Sequence, residues 1–207
     1  MARKALLAGL AFMVVAVALA CVSYGGSNDR LKIGIHVKSH PTSCASGIPV
    51  FNSCHEIVST YAGCGDVDVL PVFFDLSEFT VTEFALSWPE EWGTMTWVRC
   101  KGTIDVGTIS RSGDGTAVAW STCQSTWSVV PGFGWLDAGT AGLVRIVPNT
   151  ATGDYGVVDC ESGTEPGYDY PVFDPAPAGV CGATGGDPCV PEGGAESTWG
   201  GIKAMYR

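Results

Sequence analysis

Positive charge is scarce in this 207-residue chain: 11 Lys and Arg stand against 21 Asp and Glu, a net charge of −10. A polyanion is repelled by such a surface, which disfavours nucleic acid and an anionic membrane face as partners. Charge of either sign is thin, at 15% of residues, whereas hydrophobic residues reach 46%. A chain this apolar can build a core, so disorder throughout is excluded. Helical spacing is missing too: between the first 20 residues and position 195, no ten-residue stretch carries a 3.6-residue apolar period. The Gly-x-Ser-x-Gly elbow, His-Glu-x-x-His and phosphate-binding loops are absent, and no Cys-x2-Cys pair occurs. The commonest sequence marks of esterases, zinc peptidases, nucleotide hydrolases and structural zinc sites go with them. No tandem repeat points to a solenoid or propeller.

What is present begins with a short basic start, "MARK", a run of 16 apolar residues and the small-x-small site Ala18-Leu19-Ala20. That order reads as a secretory signal peptide over residues 1–20; the run is shorter than the roughly 20 residues a membrane span wants. Removing it takes the formal charge to −12, 9 basic against 21 acidic residues. Cys21 follows directly, and "ALAC" partly resembles the lipobox of bacterial lipoproteins, which makes Cys21 a lipidation candidate. The other eight cysteines are Cys44, Cys54, Cys64, Cys100, Cys123, Cys160, Cys181 and Cys189. An even set in an exported chain reads as a disulfide framework. Loop closure over a short Gly-rich segment favours Cys181 with Cys189, and Cys44 and Cys54 are expected to pair with each other or with Cys64.

"LKIGIHVK" alternates apolar and polar residues, the period of a half-buried strand. Further strands are expected in "VDVLPVFFDL", "TVTEFALSW", "TMTWVRC", "TIDVGTIS", "TAVAWSTC", "TWSVV", "GLVRIV" and "YGVVDC", with turns at "PEEWG", "SGDG", "PGFG" and "ATGDYG". The expected fold is an all-β antiparallel sandwich over residues 21–160, stapled by disulfides. Residues 161–195 are rich in Gly and Pro and read as an irregular extension and linker outside any sheet layer.

"PVFFDLSEFTVTEFALSWPEEWG" resembles the second and third strands of cohesin-like and other immunoglobulin-like bacterial sandwiches. "IVPNTATGDYGVVDC" is similar to the closing strand pair of uncharacterised exported bacterial proteins. The resemblance spans about residues 30–160 and implies a fold rather than an activity.

Site chemistry is sparse. His36, His40, His55, Cys44 and Cys54 do not fall at metal-ligand spacing on the expected strand, and no metal or cofactor is expected. Asp66 and Asp68, like Asp169 and Asp174, offer oxygen ligands for calcium without matching an EF-hand. Glu78, Glu83, Glu90 and Glu91 raise the two-carboxylate chemistry of a glycosidase, but charged edge positions explain them equally. Six of the seven tryptophans, Trp88 to Trp135, fall within 48 residues. Most should fill the core, with Trp92 and Trp135, in turn-like contexts, as the exposed candidates for ligand binding.

The chain ends on "STWGGIKAMYR". Trp199, Ile202 and Tyr206 recur at helical spacing, and the T-W-G-x-I-K-x-M-Y-R form resembles a closing motif of exported bacterial proteins. Residues 196–207 are read as a sorting or attachment tail. The expected protein is therefore secreted or cell-surface, without catalysis, and works by binding, adhesion or surface structure on a protein or glycan partner. Its membrane contact would come only through the signal peptide, a lipid on Cys21 or the tail. The alternative is a secreted carbohydrate-binding or carbohydrate-active protein.

Overall fold

A computed structural model describes residues 28, 30–45, 48–160 and 168–190. Cys21, Trp199, Ile202 and Tyr206, with the leader and tail assigned to them, lie outside the described residues.

The strands are β1 (Lys32–Ser39), β2 (Thr60–Tyr61), β3 (Gly65–Phe74), β4 (Glu78–Ser87), β5 (Thr96–Arg99), β6 (Ile104–Val106), β7 (Gly115–Ser125), β8 (Ser128–Val129), β9 (Gly132–Ala138), β10 (Gly142–Val147), β11 (Gly156–Asp159), β12 (Tyr168–Asp169) and β13 (Ala178–Val180). The first sheet runs β1-β3-β9-β5, with β8 also on β3; the second runs β12-β11-β4-β10-β13-β2, with β7 and β6 added on the β4 side. All pairings are antiparallel except β13 with β2. This is an all-β, disulfide-stapled antiparallel sandwich.

Side-chain alternation explains the layering. Ile33, Ile35 and Val37 of β1 and Val67, Val69 and Phe73 of β3 meet Phe84 and Leu86 of β4 in the core between the sheets. Phe73 and Phe84 join the two sheets, with ring centroids 5.7 Å apart. The other parity of β3, Leu70, Val72 and Phe74, is buried as well, in a second cluster with Phe51, Ile57, Val130 and Phe133. Strand β3 is thus covered on both faces, and the chain between β1 and β2 is the cover on its outer side.

His36 sits in this second layer. Its ring packs on Phe51 with centroids 5.1 Å apart, and its Nδ1 accepts the Val58 backbone N–H at 3.0 Å. Burial, then the nearby Lys38 charge, push its pKa down to about 4. The unfolded chain takes a proton on His36 at about pH 6.5, a proton the fold refuses until about pH 4. Stability from this residue is therefore complete above pH 6.5, falls between those values, and falls no further below pH 4. The expected loss is about 1–2 kcal/mol after discounting for partial solvation. Denaturant midpoints measured from pH 7 to pH 4 should drop less steeply in His36→Gln than in the parent chain.

Three sequence expectations are corrected. "PGFG" is no turn: Gly132 and Gly134 lie inside β9, which holds β5 onto the first sheet. A Cβ on Gly132 would stand 2.3 Å from the Val98 carbonyl oxygen, and one on Gly134 would stand 2.1 Å from the Met95 sulfur. These glycines mark close approach within a strand. Within the extension beyond Cys160, the described residues 168–190 are largely irregular, yet two pieces, β12 and β13, enter the second sheet. Ala178, Gly179 and Val180 are all buried there.

The third correction concerns the disulfides. The eight cysteines pair as Cys44–Cys100, Cys54–Cys189, Cys64–Cys181 and Cys123–Cys160. Neither Cys181–Cys189 nor a bond among Cys44, Cys54 and Cys64 forms. Proximity along the chain loses here to strand pairing: β2 runs parallel to β13, which carries Cys64 to Cys181 across 117 positions.

Candidate functional site

Trp135 and His40 form the most site-like surface among the described residues. Trp135 is on β9, directly opposite Asp68 of β3, while Asp66 of β3 faces Asp137 of β9. Alternation along β3 sends Asp66 and Asp68 to the outer side of the first sheet, in line with Leu70, Val72 and Phe74. His40, just past β1, is held over this corner because its backbone N–H reaches the Asp66 carbonyl at 3.3 Å.

The rings of His40 and Trp135 stack with centroids 5.0 Å apart and 22° between planes. Trp135 is 37% exposed, and its Nε1–H donates to Asp66 Oδ1 at 3.1 Å. His40 Nδ1 lies 2.8 Å from Asp68 Oδ1. Asp68 is fully buried, and its second oxygen, Oδ2, has no hydrogen-bond partner among the described residues. A buried carboxylate is costly without compensation, so the imidazole is the group that makes Asp68 tolerable at this depth. Two acidic anchors thus fix two stacked rings, one from below and one from the side. Such an arrangement offers a rigid apolar face with carboxylate oxygens at its rim, suited to a sugar ring or a partner's side chain.

Trp92, the other expected ligand contact, is corrected by the structure. Its turn folds as a short 3-10 segment that sends the ring inward, where Nε1–H donates to Thr140 Oγ1 at 3.0 Å. The indole is 5% exposed and packs over Gly142, leaving no room there even for a Cβ. Trp88 is buried, and Trp97, Trp120 and Trp127 are half-buried against the two clusters.

No family model and no curated protein matches the chain. Among solved structures it is similar to a type II cohesin domain from the cellulosome of Acetivibrio cellulolyticus. That likeness has 11% identity and a TM-score of 0.43, and covers 73% of this chain and 95% of that one. The sandwich described above stands on its own strand pairing.

The glutamates raised as catalytic candidates serve separate places. Glu83 is buried in β4 and accepts from Asn149 Nδ2 at 2.9 Å, from the Thr152 hydroxyl and from the Tyr168 hydroxyl at 3.2 Å. It brackets the turn before β11 and the short β12. Burial, followed by the adjacent Glu83 charge, drives the Tyr168 hydroxyl far above its ordinary pKa, so it remains a donor. Glu90 and Glu91 are exposed on the turn that buries Trp92, and Glu78 is exposed at the start of β4.

The calcium candidates are similarly committed. Asp169 Oδ2 receives both the backbone N–H and the side-chain amide of the fully buried Asn28, each at 3.1 Å. Asp174 accepts the Tyr155 hydroxyl at 3.1 Å. His55 lies against the Cys54–Cys189 bond, so the sulfurs it meets are spent on each other.

The stacked pair was half-legible in sequence. Its turn-like context marks Trp135, whereas His40 and Asp68 read from sequence only as metal donors. The signal for their pairing is long-range register: the order β1-β3-β9 sets His40, Asp68 and Trp135 side by side.

Proposed function

We propose that this chain acts outside the cytoplasm as a non-catalytic binding module, in adhesion or surface structure, and meets its ligand at the Trp135–His40 face. The observation that carries the reading is the exposed Trp135 ring, held rigid by His40, Asp66 and the buried Asp68. Side chains fixed before contact lose little entropy on binding, which favours recognition. Four disulfides support an oxidising compartment, and a signal peptide over residues 1–20 would deliver the chain there. Retention at a surface is assigned to residues 196–207, through Trp199, Ile202 and Tyr206, or to a lipid on Cys21.

A carbohydrate ligand is the more specific version of this reading. An indole face flanked by Asp66 and Asp137 matches a pyranose, with C–H groups for the ring and hydroxyl donors for the carboxylates. Glycan-array screening of the oxidised chain should give hits that Trp135→Ala weakens roughly tenfold, with an unchanged melting temperature. Equal binding by Trp135→Ala would remove this face from the proposal. An array with no hits would leave a protein surface as the ligand, read by partner capture with the same variant as control.

A further inference from the structure

The Cys54–Cys189 disulfide differs chemically from the other three. His55, adjacent to Cys54 in sequence, places its Nδ1 3.2 Å from Cys189 Sγ. Among the described residues, no other disulfide sulfur has an imidazole at hydrogen-bonding distance; Cys44, Cys100 and Cys123 sulfurs approach only backbone carbonyls. Beside this bond lies an open recess of about 330 Å³, lined by Cys54, His55, Ile57, Ser59, Gly185 and Asp187, among others. Cys54 borders the recess and Cys189 does not. The two sulfurs therefore have different surroundings. Both are half-buried, but Cys54 lies at the recess and Cys189 lies against the His55 ring.

We infer that Cys54–Cys189 is a thiol-exchange site, at which a low-molecular-weight thiol enters the recess, attacks Cys54 and displaces Cys189 onto His55. The thiolate of the incoming molecule forms a new S–S bond to Cys54 Sγ. The Cys54–Cys189 bond breaks, its electron pair stays on Cys189 Sγ, and that sulfur takes the Nδ1 proton of the His55 imidazolium to become a thiol. The product is a mixed disulfide on Cys54 with Cys189 free, and no further oxidant is needed. A second thiol completes the reduction by attacking the mixed disulfide, leaving two cysteine thiols and one oxidised small-molecule disulfide. Exchange is faster when the leaving sulfur is stabilised as a thiolate, which a neighbouring imidazolium does.

The surrounding structure permits this opening without unfolding. Cys64–Cys181 still ties the end of β13 to the start of β3, so the sheet stays closed when the outer bond breaks. Residues 183–186 stay hydrogen-bonded to Val180, Pro177 and Thr60, so the part loosened is residues 187–190. It includes Asp187, whose Oδ1 holds the Cys189 N–H at 2.8 Å, and Pro188, which packs on Gly34 of β1. Pro188 thus covers one position on the outer face of β1, so exchange alters a surface as well as a bond.

The test is exchange of the full oxidised chain with reduced glutathione, quenched over time by alkylation and mapped by mass spectrometry. Cys189 should acquire the alkyl label first and glutathione should be found on Cys54, with the other three bridges intact and the melting transition retained. His55→Ala should slow opening of this one bond by about tenfold. The rates at Cys44–Cys100, Cys64–Cys181 and Cys123–Cys160 serve as internal controls for folding. His55→Gln, which keeps a polar side chain but supplies no imidazolium, should be as slow as His55→Ala. Opening of another bridge first, glutathione on Cys189, an unchanged rate in both variants, or simultaneous opening of all four bonds would each overturn the assignment.

Discussion

Replacing both Cys54–Cys189 and Cys64–Cys181 by alanine pairs should cost about 7 kcal/mol, more than twice the cost of removing either alone. The reason is topological. The two bridges lie one inside the other, joining positions 135 and 117 apart along the chain. While Cys54–Cys189 is intact, the way from Cys64 to Cys181 is short: ten residues back to Cys54, across the bond, and eight residues on from Cys189. Closing so small a loop is worth about 3 kcal/mol in the chain-entropy treatment, and the same holds with the roles exchanged. With both gone, the long loop opens, shortened only by the two remaining bridges, and a further cost of about 4 kcal/mol appears. A total of about 7 kcal/mol matches the whole stability of many domains, so the double variant should be unfolded or nearly so. Urea or guanidinium titrations of the three variants check this. Additive costs would show that the bonds act independently.

Trp92→Ala is expected to destabilise the chain by about 3–5 kcal/mol, the range for truncating a large buried aromatic side chain. The ring fills the space above Gly142 and its Nε1–H donates to Thr140 Oγ1, so truncation leaves a cavity and removes that hydrogen bond. Trp135→Ala provides the contrast, because that ring is exposed and bounded by side chains rather than enclosed. Thermal unfolding followed by near-ultraviolet circular dichroism separates the two. Equal melting temperatures for Trp92→Ala and the parent chain would mean that this indole contributes little to packing.

These two tryptophans show what the sequence could and could not reveal. Both follow turn-forming residues, so both looked exposed. The difference lies in what each opposes: Trp92 meets Gly142 at the start of β10 and Thr140 just before it, contacts about 50 positions away, while Trp135 sits in a strand on the outer side of its sheet. Alternation made β1 readable, and an apolar run bounded by turns made β3 readable, since β3 is buried on both faces. Strand β9 was missed because its glycines imitate a turn, although Val98 and Met95 need them small. Glycine misled again near the C-terminal side: a Cβ on Gly179 would stand 2.1 Å from the Ala183 carbonyl oxygen, and one on Gly185 would stand 1.9 Å from that of Ser59. What looked like linker composition is the composition of a tightly folded strap. The disulfide partners were hidden for the related reason that sequence spacing weighs loop closure, while the sheet order decides which cysteines meet.

The late insertion of β13 sets a schedule on the growing polypeptide. Val144 of β10 waits for Ala178, and Tyr61 of β2 waits for Val180, so the second sheet has a gap until that stretch has emerged from the ribosome. An unfilled edge is a site for pairing with other chains, which puts the nascent molecule at risk for as long as the gap persists. Oxidation inherits the same order. Cys44 can meet Cys100 first and Cys123 can meet Cys160 next, while the native partners of Cys54 and Cys64 come last in the chain. The bond completed last in synthesis is then Cys54–Cys189, which shuts the strap over a sheet already assembled beneath it.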